Sequence, residues 1–115
     1  MAVPAMLVYT QQNTKNIYFG PLKANTSPFA PVTDGTVVCT LYKGRIPGEA
    51  TGTPVAGVSN ISFNHVGGGV YVATVGDENF TPDLGDDYTT VFDLTSATVA
   101  KQHWEIKSSV QVRIQ

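Results

Sequence analysis

One cysteine, Cys39, is present in the 115 residues, so no internal disulfide can form and the fold must hold by packing alone. Charge is also scarce. Only 14% of residues are Asp, Glu, Lys or Arg, against roughly 25% in an average soluble domain. The seven basic residues, Lys15, Lys23, Lys43, Arg45, Lys101, Lys107 and Arg113, are scattered and the net charge is −2. No basic footprint for phosphates is visible, and nucleic acid is not an expected partner. No apolar run approaches the roughly 18 residues that a membrane-spanning helix needs, so no membrane partner is expected. The apolar start Met1–Tyr9 lacks a positive leader and contains Pro4, and it is expected not to be a secretory signal. Helical periodicity is missing as well, since no window repeats apolar residues at i, i+3, i+4 and i+7.

What is present is strand after strand. Along 102–113, Trp104, Ile106, Ser108, Val110 and Val112 share one face, while His103, Glu105, Lys107, Ser109, Gln111 and Arg113 share the other. Tyr88, Thr90, Phe92 and Leu94 alternate in the same way, as do Tyr71, Ala73 and Val75. Further strands are predicted at about 36–42 and 58–64, with Ile61 and Phe63 facing inward. Turn chemistry separates these runs at Asp34-Gly35, Ile46-Pro-Gly48, Thr51-Gly-Thr-Pro54, Gly67-Gly-Gly69 and Pro82-Asp-Leu-Gly85. Short strands at such spacing predict an all-β fold, a single immunoglobulin-like Greek-key β-sandwich with an extended N-terminal segment. Leu84-Gly-Asp-Asp-Tyr88 has the spacing of a tyrosine corner, in which a Tyr at the start of a strand bonds to backbone a few residues upstream.

Residues 33–115 hold enough strands for the sandwich, which makes 1–32 an N-terminal extended arm or a pair of edge strands. Four of the seven prolines fall there, with two apolar patches. Met6, Leu7, Val8, Tyr9, Ile17, Tyr18 and Phe19 are therefore candidate partner-binding residues, suited to strand addition on a neighbouring subunit.

No catalytic grouping emerges, and the chain is expected to be neither an enzyme nor a binder of cofactor or metal. Cys39 lies in the apolar run Val37–Leu41 and reads as a buried small side chain. His65 and His103 have no partner at a zinc-ligand interval. Asp77, Glu78, Asp83, Asp86 and Asp87 form an oxygen-rich stretch, but their spacing matches no EF-hand, and turn formation explains Asp beside Gly and Pro. Gly67-Gly-Gly69 precedes a strand and lacks the Lys and Ser/Thr of a phosphate loop. No Ser stands in a G-x-S-x-G elbow. Glycosylation-type triplets begin at Asn25, Asn60 and Asn79. Tyr18, Tyr42 and Trp104 are the aromatics that could stack on sugar rings, although Trp104 falls on the apolar face of its strand.

Gly52-Thr-Pro-Val-Ala-Gly57, Gly69-Val-Tyr-Val-Ala-Thr74, Leu84-Gly-Asp-Asp-Tyr88 and a closing strand opened by His103-Trp-Glu-Ile106 occur in that order. In this order, from Thr33 to Arg113, the chain resembles small immunoglobulin-like virion proteins of tailed bacteriophages and prophages. The resemblance implies a structural protein made in the host cytoplasm and carried on the virion. A capsid decoration or cement protein is the first expectation, bridging shell subunits, with the major capsid protein as partner and homo-oligomers within the assembly. A neck or tail accessory role is the second. From another class, a carbohydrate-binding or adhesion module would use exposed aromatics and loop carboxylates.

Overall fold

The computed structural model describes residues 6–11, 14–24, 29–46, 48–76, 80–97 and 99–111. Among the described residues nine strands follow one another: β1 (Met6–Thr10), β2 (Lys15–Phe19), β3 (Thr36–Lys43), β4 (Thr53–Pro54), β5 (Ile61–Ser62), β6 (Asn64–Gly67), β7 (Val70–Val75), β8 (Gly85–Thr95) and β9 (Gln102–Gln111). They build two facing sheets. The larger runs β1-β9-β8-β3-β4, with β5 also on β3, and the smaller runs β2-β7-β6. The chain passes between sheets at β1–β2, β2–β3, β5–β6 and β7–β8, which is the Greek-key wiring of an immunoglobulin-like sandwich. Among the described residues no helix is long and apolar enough to cross a membrane.

Period-two alternation decides which side chains enter the core. Val37, Cys39 and Leu41 of β3, Phe92 and Leu94 of β8, Ile106 and Val110 of β9, and Tyr71, Ala73 and Val75 of β7 are all buried. The inter-sheet centre is aromatic. Phe19 of β2 stacks on Phe92 of β8 with centroids 4.6 Å apart and planes 10° off parallel. The same ring meets Trp104 of β9 edge-on at 5.0 Å and Phe63 at 6.2 Å.

The predicted corner is present: the Tyr88 hydroxyl donates to the Asp83 carbonyl at 2.7 Å. A second tyrosine ties the loop before β3 to the smaller sheet. The Tyr71 hydroxyl donates to the Val32 carbonyl at 2.7 Å and accepts from the Gly35 amide at 2.9 Å. The Gly-Gly-Gly run closes the β6–β7 hairpin. There Gly69, at φ +84°, lies so close to Leu22 that any Cβ would strike the Leu22 backbone, so the turn also docks the segment leaving β2.

Of the two expectations for the N-terminal segment, the described residues take the second, edge strands on the chain's own sheets. β1 pairs in parallel with β9 from Met6↔Lys107 to Thr10↔Gln111, and β2 pairs antiparallel with β7 from Lys15↔Val75 to Phe19↔Tyr71. Of the seven partner-binding candidates, Leu7, Tyr9, Ile17 and Phe19 are instead buried in the chain's own core. Val8 and Tyr18 point the other way and are exposed, at 39% and 62%. The Met6 side chain lies outside the described residues. The segment before residue 33 thus supplies one edge strand to each sheet. Without β2 the smaller sheet would keep two strands and lose Ile17 and Phe19 from its inner face. Period two alone could not show this, because an apolar strand reads the same whichever chain's sheet it joins.

Within the core, Tyr9 locks β1 in register. Its hydroxyl contacts Thr90 Oγ1 at 2.9 Å, Thr90 contacts Ser108 Oγ at 2.7 Å, and Ser108 donates to the Ile106 carbonyl at 3.0 Å. On the other side of β9, Ser109 Oγ is buried with no hydrogen-bond partner among the described residues.

Deleting residues 1–20 should abolish cooperative thermal unfolding or lower the melt by many degrees; a truncated protein melting like the full chain would contradict the assignment of β1 and β2 to this core. Tyr88→Phe should cost on the order of 1 kcal/mol in chemical denaturation, and an unchanged midpoint would remove the corner bond from the account.

Candidate functional site on the outer face of the larger sheet

The outward residues of β3, β8 and β9 form rows set by register. Val38, Asp93 and His103 stand in one row, Thr40, Val91 and Glu105 in the next, and Tyr42, Thr89 and Lys107 in a third. Polar groups collect along the β9 side. His103 Nδ1 lies 2.7 Å from Asp93 Oδ1, and its Nε2 lies 3.0 Å from Glu105 Oε2. The other oxygen of Glu105 accepts from Arg45 Nε at 2.9 Å. The result is a continuous ladder, Asp93–His103–Glu105–Arg45, crossing from β8 over β9 to the loop after β3.

The described residues of that loop, 44–46 and 48–52, are held to the sheet and to one another by several bonds. The Gly48 amide donates to Glu105 Oε2 at 3.3 Å, Arg45 Nη1 to the Thr51 carbonyl at 3.3 Å, and the Ile46 amide to Thr51 Oγ1 at 2.8 Å. The Arg45 guanidinium also sits 4.8 Å above the centre of the Tyr42 ring, a cation–π contact. Gly52 closes the loop at φ +93°, where a Cβ would crowd Arg45 Cα and the Lys43 carbonyl at 3.0 Å. With only 9% of the Arg45 side chain and 16% of that of Glu105 exposed, this pair is better shielded than an ordinary surface ion pair.

The ladder moves its members' proton affinities. Hydrogen bonding to Asp93, then to Glu105, raises the His103 pKa above its ordinary value. The Arg45 hydrogen bond is the main influence holding Glu105 below the usual carboxylate range, aided by His103. Beside the ladder lies an open depression of about 340 Å³ between Arg45 and Glu105 on one side and Asp86, Asp87 and Lys107 on the other.

The chemistry these groups can perform is limited by what already engages them. Both ring nitrogens of His103 face carboxylates, so the ring cross-links Asp93 of β8 to Glu105 of β9. Cys39 is 1% exposed and burial pushes its thiol up to about 12, far from thiolate reactivity at neutral pH. His65 Nε2 accepts the Gly69 amide at 3.1 Å and so staples the β6–β7 turn.

The remaining sequence candidates are dispersed. Asp83 pairs with Lys43 at 2.5 Å, Asp86 and Asp87 line the depression, and residues 77–79, with Asn79, lie outside the described residues, as does Asn25. Among the described residues no group of three or more His, Cys, Asp or Glu is placed to hold a metal ion. Asn60 is exposed in a left-handed turn at φ +53°, its amide bonded to Thr40 Oγ1. Of the aromatics, Trp104 is half-buried against the core and Tyr42 half-buried beside Arg45, which leaves Tyr18 open.

Sequence reasoning missed the ladder. The usable signal was the β8–β9 hairpin: placing Asp93 and His103 opposite one another requires its register, and Arg45 enters from a loop that no periodicity describes. The chain matches no protein-family model and no curated protein.

In the native protein Cys39 should resist thiol reagents and become fully reactive in denaturant, as followed by absorbance of the released thiolate. Rapid stoichiometric labelling of the folded chain would contradict its sealed position.

Proposed function

We propose that this chain is a non-enzymatic structural protein of a tailed-phage virion, made in the host cytoplasm and acting as a capsid decoration or cement protein that bridges subunits of the major capsid protein. The observation that carries the non-catalytic part is the commitment of His103 to two carboxylates and of Cys39 to the core. His103 ties two strands together and Cys39 fills the core. The virion setting rests on the resemblance of residues 33–113 to immunoglobulin-like phage proteins. A neck or tail accessory position would use the same contact chemistry, and homo-oligomers would arise within the assembly.

One feature favours a second reading, a carbohydrate-binding or adhesion module. Tyr18 is 62% exposed on the outer face of the smaller sheet, where its cross-strand neighbour is Val72 and the next pair is Asn16 with Thr74. An exposed ring among uncharged neighbours offers a flat apolar platform with a polar tip, on which a sugar ring can stack.

Quantitative mass spectrometry of particles from the phage or prophage encoding the chain tests the first reading. The chain should be present in a fixed ratio to the major capsid protein. Its absence from purified particles, together with glycan-array binding that Tyr18→Ala removes, would replace the virion reading with the adhesion one.

A further inference from the structure

The arrangement around His103 does more than join two strands, because its geometry suits only one protonation state. Each ring nitrogen lies within hydrogen-bond distance of a carboxylate oxygen, Asp93 Oδ1 at 2.7 Å and Glu105 Oε2 at 3.0 Å. An imidazolium donates to both, whereas a neutral imidazole has one N–H and turns a lone pair toward the other carboxylate. The charged groups facing the ring are Asp93 from β8 and Glu105 from β9, with Arg45 of the loop behind Glu105. Val38, the β3 residue of the same row, carries no charge. Half of the His103 side chain is exposed, so protons exchange with solvent freely.

We propose that His103 is a proton-dependent clasp that sets how firmly the loop 44–52 is held against the outer face of the larger sheet, at the rim of the depression. The coupling runs through Glu105, whose Oε2 accepts both from His103 and from the Gly48 amide. On deprotonation the ring keeps its proton on Nδ1, toward the nearer Asp93 oxygen, and the Nε2 lone pair then faces Glu105 Oε2. Like partial charges repel at that distance, and a carboxylate only 16% exposed cannot replace the lost donor with water as readily as Asp93 can. Glu105 turns toward Arg45, and the long Gly48 bond at 3.3 Å is the contact that yields.

The direction in pH follows. His103 binds its proton more tightly in the folded protein than in the unfolded chain. The clasp therefore adds stability that is complete below the ordinary histidine value of 6.5 and disappears as pH rises through the raised folded value. Mildly acidic surroundings close the clasp, and alkaline ones release it.

NMR titration of the full chain between pH 5 and 9 on this basis reads three signals at once: the His103 ring, the Gly48 amide and the Arg45 Nε–H. His103 should titrate above 6.5, and Gly48 and Arg45 should shift with the same midpoint. Asp93→Asn should move that common midpoint down while leaving the fold intact, since both positions are exposed. His103→Gln should abolish the Gly48 transition in this range. A Gly48 signal that ignores the His103 titration, or one that titrates unchanged in His103→Gln, would overturn the proposal, as would a His103 midpoint at or below 6.5 in the wild-type chain.

Discussion

The contact between Phe19 and Phe92 is the constraint on which the rest of the sandwich depends. With one cysteine, the chain has no covalent tie between its sheets, and these two rings span the gap at 4.6 Å in near-parallel stacking. Trp104 and Phe63 close around Phe19 from β9 and from the segment between β5 and β6. Each such pair contributes about 0.5–1.5 kcal/mol beyond simple burial, and the cluster draws on strands of both sheets. Its loss would separate the β2-β7-β6 layer from the larger sheet at their common centre.

Around that centre tyrosine hydroxyls add specific ties to the packing. Tyr88 pins the corner leading into β8, Tyr71 holds the loop ahead of β3, and Tyr9 joins β1 to a buried Thr90–Ser108 chain. Each hydroxyl lets a strand enter an apolar layer without leaving a polar group unpaired. Orientation of β9 by these contacts also fixes its outer face, so the ladder through His103 and Glu105 inherits its geometry from the core beneath it.

Much of this was legible in the amino-acid sequence. The inward sets on β3, β7, β8 and β9 follow from strict alternation, and the corner at Tyr88 follows from local spacing. Partner assignment was less legible. From the sequence, Leu7, Tyr9, Ile17 and Phe19 fit an extended arm or edge strands alike, and only the structure shows that β4 and β5 are two-residue strands that leave an edge of each layer to β1 and β2. The ladder escaped notice for a related reason. Its members come from two strands and a loop, and only hairpin register and the return of 44–52 bring Arg45, Asp93, His103 and Glu105 together.

Scarce charge is concentrated where Arg45, Asp93, His103 and Glu105 tie the loop after β3 to the β8–β9 hairpin. The account stands or falls on whether Phe19 belongs to the same chain as the Phe92 it stacks on. Isotope-filtered nuclear Overhauser measurements on a mixture of labelled and unlabelled protein, unfolded together and refolded, decide this directly. The account predicts strong Phe19–Phe92 and Phe19–Trp104 contacts within labelled chains and none between labelled and unlabelled ones; cross-peaks between the two populations would mean that β2 inserts into a neighbour, contradicting the self-contained sandwich.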